Sequence, residues 1–367
     1  MAIPIGLELI EKTKSISRRI EYRKPTLSKE ELERVLDCLI EDQLEAGSVV
    51  ERFEKDFKST LGLKNPIAVN SIFSAYHLAL LSLEIQEGDK ILLSSFSHPS
   101  ALNAILLMKA IPVVVDLGKN SFHPDLESVK SKIHSENIKA AIFSHSFGGL
   151  LKISDYETGE VPVIEDFSEA VGADSDEVKV GKQGTISICG LSMDSVITIG
   201  NGAILTTSND KYAPSIRSYI PEKCKDRKQI SLQLDYSLID YQAAIGIEQL
   251  SKLGIIVDRK RKIAQAYLQS LLGSSHETYF KKVGEDQFNR FPIVVGKPYD
   301  EVQRYFDSIH IATDRTIKEP IHRTMNLSNS DFPNAERLFQ RGHCIPIYPN
   351  LTKDNVNRIS SSLRGIF

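Results

Sequence analysis

Cysteine is scarce in this chain: Cys38, Cys189, Cys224 and Cys344 stand far apart, and none belongs to a CxxC pair. That scatter excludes a cysteine zinc site and a disulfide framework and predicts a reducing, cytoplasmic setting. No apolar run approaches membrane-spanning length, and the N-terminus lacks an apolar core flanked by positive charge, so no membrane partner is expected. Basic residues do not cluster on an aromatic-interleaved stripe, and the formal net charge is −3. Nucleic acid is therefore not an expected partner. Gly148-Gly149 and Gly200-Asn201-Gly202 read as turns, because neither stands in a Walker or dinucleotide pattern. No serine or cysteine nucleophile has a recognisable histidine partner. Internal repeats, low-complexity tracts and Pro/Gly/Ser-rich linkers are also missing.

What the 367 residues do contain is an alternation of short apolar runs and helical patterns. Ser28 to Asp42 is an amphipathic helix opened by a Ser28/Glu31 capping box, and a second helix spans Val49 to Leu61. Strands are expected at Pro66–Val69, Lys90–Leu93, Ile111–Val115, Lys139–Phe143, Val161–Ile164 and from Ala203 through Thr207. Helices at Ser74–Leu83, Pro99–Lys109 and Pro124–His134 lie between them. Such βαβ rhythm predicts an α/β fold with a mostly parallel sheet sandwiched by helices. A long helix over about 240–272 bridges to a different rhythm: a strand at Phe291–Val295, then helices at Tyr299–Ile309, Asn334–Arg341 and Thr352–Leu363. The division reads as an arm (1–24), a large domain (25–250) and a smaller C-terminal α+β domain (251–367). The basic run DRKRK, Asp258 to Lys262, reads as a solvated or dimer-facing face of the long helix.

The stretch from Val161 to Ala203 organises the rest. VPVI is a buried strand ending in Glu165-Asp166, at the sheet edge where open α/β folds bind ligands. Two further apolar runs read as strands, ISIC and SVITI, follow with Asp194 in the loop between them. Asp166 and Asp194 are thus expected to face one crevice, a pocket with acids and no obvious amine. His145, after the strand IKAAIFS, reads as a satisfied structural histidine.

Several long segments resemble the DegT-type sugar-nucleotide aminotransferases, fold type I enzymes dependent on pyridoxal phosphate (PLP). They include LEAGSVVERFEKDF (Leu44–Phe57), SAYHLALLSLEIQEGDKILL (Ser74–Leu93), NAILLMKAIPVVVD (Asn103–Asp116), VIEDFSEAVGA (Val163–Ala173), DYQAAIGIEQL (Asp240–Leu250) and IPIYPNLTKDNVNRI (Ile345–Ile359). The resemblance covers nearly the whole chain and implies a sheet of the seven-stranded type. It implies that Asp166 stands where the family's acid pairs with the coenzyme ring nitrogen. His98 stands where an aromatic residue stacks on the ring, and Glu169 replaces a polar residue near the reacting centre. Read without the family, Asp166 caps a turn, His98 opens a helix before Pro99, and Glu169 is a solvated acid at a helix start.

The departures from the family pattern bear on chemistry. Nine residues before Ala203, where the family places its Schiff-base lysine, the chain has Asp194, and a carboxylate supplies no amine. Lys179, Lys182 and Lys211 lie outside that loop. The family's phosphate cup, Ser-Gly-Thr, becomes Ser71-Ile72-Phe73, and a serine of the lysine loop becomes Cys189. Asp235 stands at the position of an asparagine that reaches the phosphate from the partner subunit, and Ser237 at that of an arginine. An ionised aspartate against a phosphate is repelled by about 4 kcal/mol per charge pair at an effective dielectric of about 20. No cofactor or metal is therefore expected, with PLP or its amine form PMP bound only if the family activity survives.

Three readings follow. The first is a degenerate homologue that keeps a homodimer, or a mixed dimer with an active paralogue, and a nucleotide-linked sugar in surface-polysaccharide biosynthesis. The second is an active PLP- or PMP-dependent enzyme on a nucleotide-linked keto sugar, with Asp194 as base. The third is a pocket in which Asp166, Glu169, Asp194 and His98 converge unpaired and recruit a divalent cation or an amine.

Overall fold

The computed structural model describes residues 19–173, 175–221, 232–280 and 284–366. Most of the 1–24 arm, and Cys224, lie outside that set. Local signals set the first helices. In α1 (Lys29–Ile40) the Glu31 carboxylate accepts the Ser28 N–H at 2.9 Å, closing the capping box. Helix α2 (Ser48–Leu61) starts from Gly47, which has no side chain to cap it. The distant Asp240 caps it instead: its Oδ1 accepts the N–H groups of Gly47 and Val50, each at 2.9 Å. The inner face of α2 buries Phe53 and Phe57 completely, each worth roughly 2–3 kcal/mol of burial.

The main sheet has seven strands in the order β1-β7-β6-β5-β4-β2-β3. These are β1 (Ile67–Val69), β2 (Lys90–Ser94), β3 (Ile111–Val115), β4 (Ile138–Ser144), β5 (Val163–Asp166), β6 (Ile186–Gly190) and β7 (Ala203–Thr206). Neighbours from β3 to β6 are parallel, and β7 runs antiparallel to both β6 and β1. Helices α3 (Ile72–Ser82) and α4 (Pro99–Leu107) cover one face; α2 and α7 (Asp240–Ser251) cover part of the other, and α5 (Leu126–Ser135) follows β3. Fully buried parallel strands need apolar residues on both sides, which is why Ile91–Leu93 of β2, Ala140–Phe143 of β4 and Val163-Ile164 of β5 are apolar throughout. A short helix α6 (Tyr212–Ser218) packs near α3.

The C-terminal part holds a second, three-stranded sheet in the order β8-β10-β9, from β8 (Phe291–Val294), β9 (Asp314–Arg315) and β10 (Gly342–Ile345). Helices α8 (Leu253–Leu271), α9 (Tyr299–Ser308), α10 (Ile321–Thr324), α11 (Pro333–Arg341) and α12 (Lys353–Arg364) accompany it. Its core joins Phe291, Ile293 and Ile345 to Tyr267 of α8 and Leu363 of α12.

Two expectations are corrected. The single helix over 240–272 is two, α7 and α8, broken at Lys252, whose amine turns to Glu31 at 3.0 Å. The run SVITI is not a strand. β6 already has β5 and β7 on its two sides, so Val196, Ile197 and Ile199 find their burial as irregular chain in the apolar layer beside α2. Among the described residues no helix is long and apolar enough to cross a membrane.

Candidate functional site

The C-terminal ends of β4, β5 and β6 carry the polar side chains. Glu165, last but one in β5, is fully buried and serves the fold. It accepts from the N–H groups of Gly181, Gln183 and Gly184 at 2.7–3.0 Å and from the Ser187 hydroxyl at 2.8 Å. His145 completes this hub. Its Nδ1 accepts the Leu151 N–H at 3.0 Å, which leaves Nε2–H to donate to Glu165 at 3.1 Å. Burial raises the Glu165 pKa, and the His145 and backbone hydrogen bonds more than offset it, so the group is held below the usual carboxylate range.

Asp166, one residue on, points to the other face and is also nearly enclosed. Tyr76 of α3 donates to Oδ2 at 2.6 Å, and Ser168 donates to Oδ1 through its N–H at 2.9 Å and its hydroxyl at 2.5 Å. Burial and the neighbouring carboxylate push the Tyr76 phenol well above its ordinary pKa, so it remains a donor. Beside Ser168, the end of Ile72 lies over Gly190: a Cβ added there would meet Ile72 Cδ1 at 2.9 Å and Ser168 Oγ at 3.0 Å.

The altered cup is internally satisfied. Ser71 caps α3 by accepting the Ser74 N–H at 3.0 Å, and Ser74 in turn donates to Asn70 at 2.7 Å. Phe73 stacks on His77 at a ring separation of 6.1 Å, and Tyr236 meets His77 Nδ1 at 2.9 Å. Asp235 is exposed; its carbonyl accepts from Asn70 at 2.9 Å. Ser237 bridges to Val69. Cys189 is fully buried in the apolar layer with α2; burial raises its thiol pKa, and the retained S–H donates to the Gly190 carbonyl at 3.8 Å.

His98 caps α4, its Nδ1 accepting the Ser100 N–H at 3.1 Å. Its outer side is open to solvent; enclosure of the inner side lowers its pKa, against the pull of Asp166 and Glu169. Glu169 is a partner of Arg290, not a solvated acid. Arg290 Nε lies 2.5 Å and Nη2 3.2 Å from its two oxygens, and the Phe147 N–H adds a contact at 2.7 Å. Burial works against this carboxylate, but Arg290 holds its pKa below the ordinary value. The guanidinium also lies 4.3 Å from the centre of the Phe147 ring.

Asp194 lies in a cleft lined by Tyr22, Arg23, Ser195, Lys260, Asn289 and Arg290, among others. Its exposed carboxylate forms an ion pair with Arg23, which also reaches Asp314 at 3.3 Å. Asn289 ties the cleft together: its Nδ2 donates to the Asp194 carbonyl at 2.7 Å and to Glu169 at 3.3 Å, while its own two oxygens accept from Lys260.

The expectation of unpaired converging acids is therefore corrected. Asp166, Glu169 and Asp194 each have donors or cations of their own, and among the described residues no group of acids, histidines and cysteines is arranged to hold a metal ion. Within the DRKRK run Asp258 and Lys262 are exposed, but Lys260 is only 6 % exposed and departs from the expected solvated face. Tyr76, Ser168, Arg290, Asn289 and Arg23 escaped the sequence reading. The one available signal was that a buried Glu169 would need a cation, which the NRF run before β8 supplies.

A sheet of this order, with a helix N-terminus and a strand-end aspartate at its C-terminal edge, defines the fold of the PLP-dependent aminotransferases. The chain belongs to the DegT/DnrJ/EryC1/StrS aminotransferase family, whose model matches residues 25–364. It is 26% identical to a GDP-perosamine synthase of Caulobacter vibrioides, with 94% of this chain and 97% of that protein covered. Identity to the spore coat polysaccharide biosynthesis protein SpsC of Bacillus subtilis is also 26%, over 95% of this chain and 97% of that one. In three dimensions it resembles an E. coli GDP-4-keto-6-deoxy-D-mannose-3-dehydratase with bound hydrated PLP. The TM-score is 0.83 at 18% identity, with 94% of this chain and 99% of that chain covered.

Proposed function

We propose that this chain binds a nucleotide-linked sugar in surface-polysaccharide biosynthesis and does not perform PLP-dependent transamination. In this reading it acts as a homodimer or beside an active paralogue. Family membership and the sugar-nucleotide names of its relatives support the ligand class. The observation that carries the loss of transamination is the state of Asp166. Its oxygens already accept from Tyr76 and Ser168, and Ile72 lies over the neighbouring Gly190. PLP-dependent transamination needs an amine and an open phosphate cup to hold the coenzyme, and an acid free to keep its ring nitrogen protonated. Asp194, Ile72-Phe73 and the engaged Asp166 do not fit those needs.

A second reading, an active PLP- or PMP-dependent enzyme, draws on the likeness to the dehydratase. It requires Asp194 as a base, and the ion pair with Arg23 counts against that role. Assay of the purified protein with PLP, glutamate and a nucleotide-linked keto sugar separates the two. Amino transfer sinks the proposal; calorimetric binding of the nucleotide sugar without amino transfer supports it.

A further inference from the structure

The cleft that lacks a lysine on its 192–198 loop receives one from α8. Lys260 of α8 is buried, and its Nζ donates to the Asn289 carbonyl at 3.0 Å and to Asn289 Oδ1 at 2.8 Å. No third partner is present among the described residues, and the residue lines the cleft. Both acceptors are uncharged. The nearby carboxylates are committed elsewhere, Glu169 to Arg290 and Asp194 to Arg23. Lys24 also faces the cleft and, with Arg23 and Arg290, disfavours a further cation.

An ammonium here has no counter-charge in contact. Burial lowers its pKa to about 8, with Glu169 opposing. On deprotonation the nitrogen keeps two N–H groups on the two Asn289 oxygens and turns its lone pair to the remaining position, the cleft. The structure assigns to Lys260 the role of a carbonyl-capturing amine that takes an aldehyde or ketone ligand of this cleft into a covalent imine. The nitrogen lone pair adds to the carbonyl carbon, and a proton passes from nitrogen to oxygen. The carbinolamine so formed gives up the second nitrogen proton to the same oxygen, which leaves as water while the C=N bond forms and the N–H contacts to Asn289 are released, with no oxidant or reductant consumed. That the natural carbonyl is a nucleotide-linked keto sugar rests on the function proposed above; the reactivity of the amine does not.

The full-length protein is equilibrated with glyoxylate from about pH 6 to about pH 11 and trapped by a pulse of borohydride, which reduces the neutral imine as well as the iminium, and its peptides are mapped by mass. Lys260 is expected to be carboxymethylated with a half-maximum near pH 8, whereas exposed lysines continue to gain label past about pH 10. The Lys260→Arg variant, which keeps a cation on Asn289, provides the blank. Label confined to other lysines, or a Lys260 profile that follows theirs, overturns the assignment. A parallel arm adds a UDP-linked keto sugar. Protection of Lys260 supports the ligand class, and labelling without protection overturns that class while leaving the amine's reactivity in place.

Discussion

The Tyr76 hydroxyl, on a helix 90 positions away in sequence, sits 2.6 Å from Asp166 Oδ2 and satisfies the strand-end acid from within the fold. Replacing Tyr76 by Phe leaves that oxygen buried and short of a donor. A buried hydrogen bond to a charged group is worth about 1.5–3 kcal/mol. Tyr76→Phe should therefore lower unfolding stability by that order in urea denaturation with an unchanged m-value. A loss below about 0.5 kcal/mol would show that water or Ser168 replaces the phenol.

Glu336 gives stability a pH dependence. Arg323 Nε and Nη2 lie 2.5 and 2.6 Å from its carboxylate, and the fully buried His322, bonded on its other side to Ser95, adds a contact at 3.0 Å. Arg323, with burial opposing and His322 and Gln340 assisting, holds the Glu336 pKa at about 2. A depressed acid contributes stability above its unfolded pKa of about 4.3 and loses it as the pH falls toward the folded value. The contribution is on the order of 2–3 kcal/mol. Glu336→Gln should narrow the gap between urea midpoints measured at pH 7 and at pH 3. An unchanged gap would remove Glu336 from the acid response.

What the sequence made legible was whatever the local chain decides. The Ser28/Glu31 box, the apolar runs of β2 to β6 and the His145 site each declare themselves within a few residues. Contacts between distant segments were not legible. SVITI has strand composition, yet the sheet leaves it no open edge. Gly254 in IEQLSKLGII is only a weak mark of a break, and the contacts of Lys252 to Glu30 and Glu31 on α1 are distant in sequence. DRKRK looks solvated until Asn289 supplies the two carbonyls that bury Lys260. The engaged state of Asp166 depends on a tyrosine in a helix apolar on all sides, where a hydroxyl attracts no notice.

Gly148 is where backbone crowding protects the candidate site. Its φ is +90°, and an added Cβ would meet the backbone nitrogens of Asn289 and Phe288 and the Glu169 carbonyl at 2.8–2.9 Å. All three contacts are main chain and cannot swing aside. Gly148→Ala should cost about 2–4 kcal/mol from the left-handed conformation and the forced displacement together. It should also shift the Lys260–Asn289–Glu169 network. Thermal unfolding with a parallel Gly159→Ala control, at φ +60° with nothing within 4 Å, separates crowding from φ strain. Equal losses in the two variants would assign the whole effect to φ.

Restoring the missing amine tests how far the damage extends. Asp194→Lys puts a primary amine where the family's lysine stands and sets it beside Arg23, whose charge favours the neutral, nucleophilic form. The cup would remain filled by Ile72 and Phe73, so the single variant should not retain PLP through gel filtration. Adding Ile72→Gly and Phe73→Thr opens the α3 N-terminus to a phosphate, at about 1 kcal/mol in helix propensity for the glycine plus the lost packing. Only the triple variant should hold coenzyme that borohydride fixes at position 194, read by peptide mass so that Lys260 is not mistaken for it. If the single variant already fixes PLP at position 194, Ile72 and Phe73 are no barrier to the phosphate. Asp194 alone would then account for the loss.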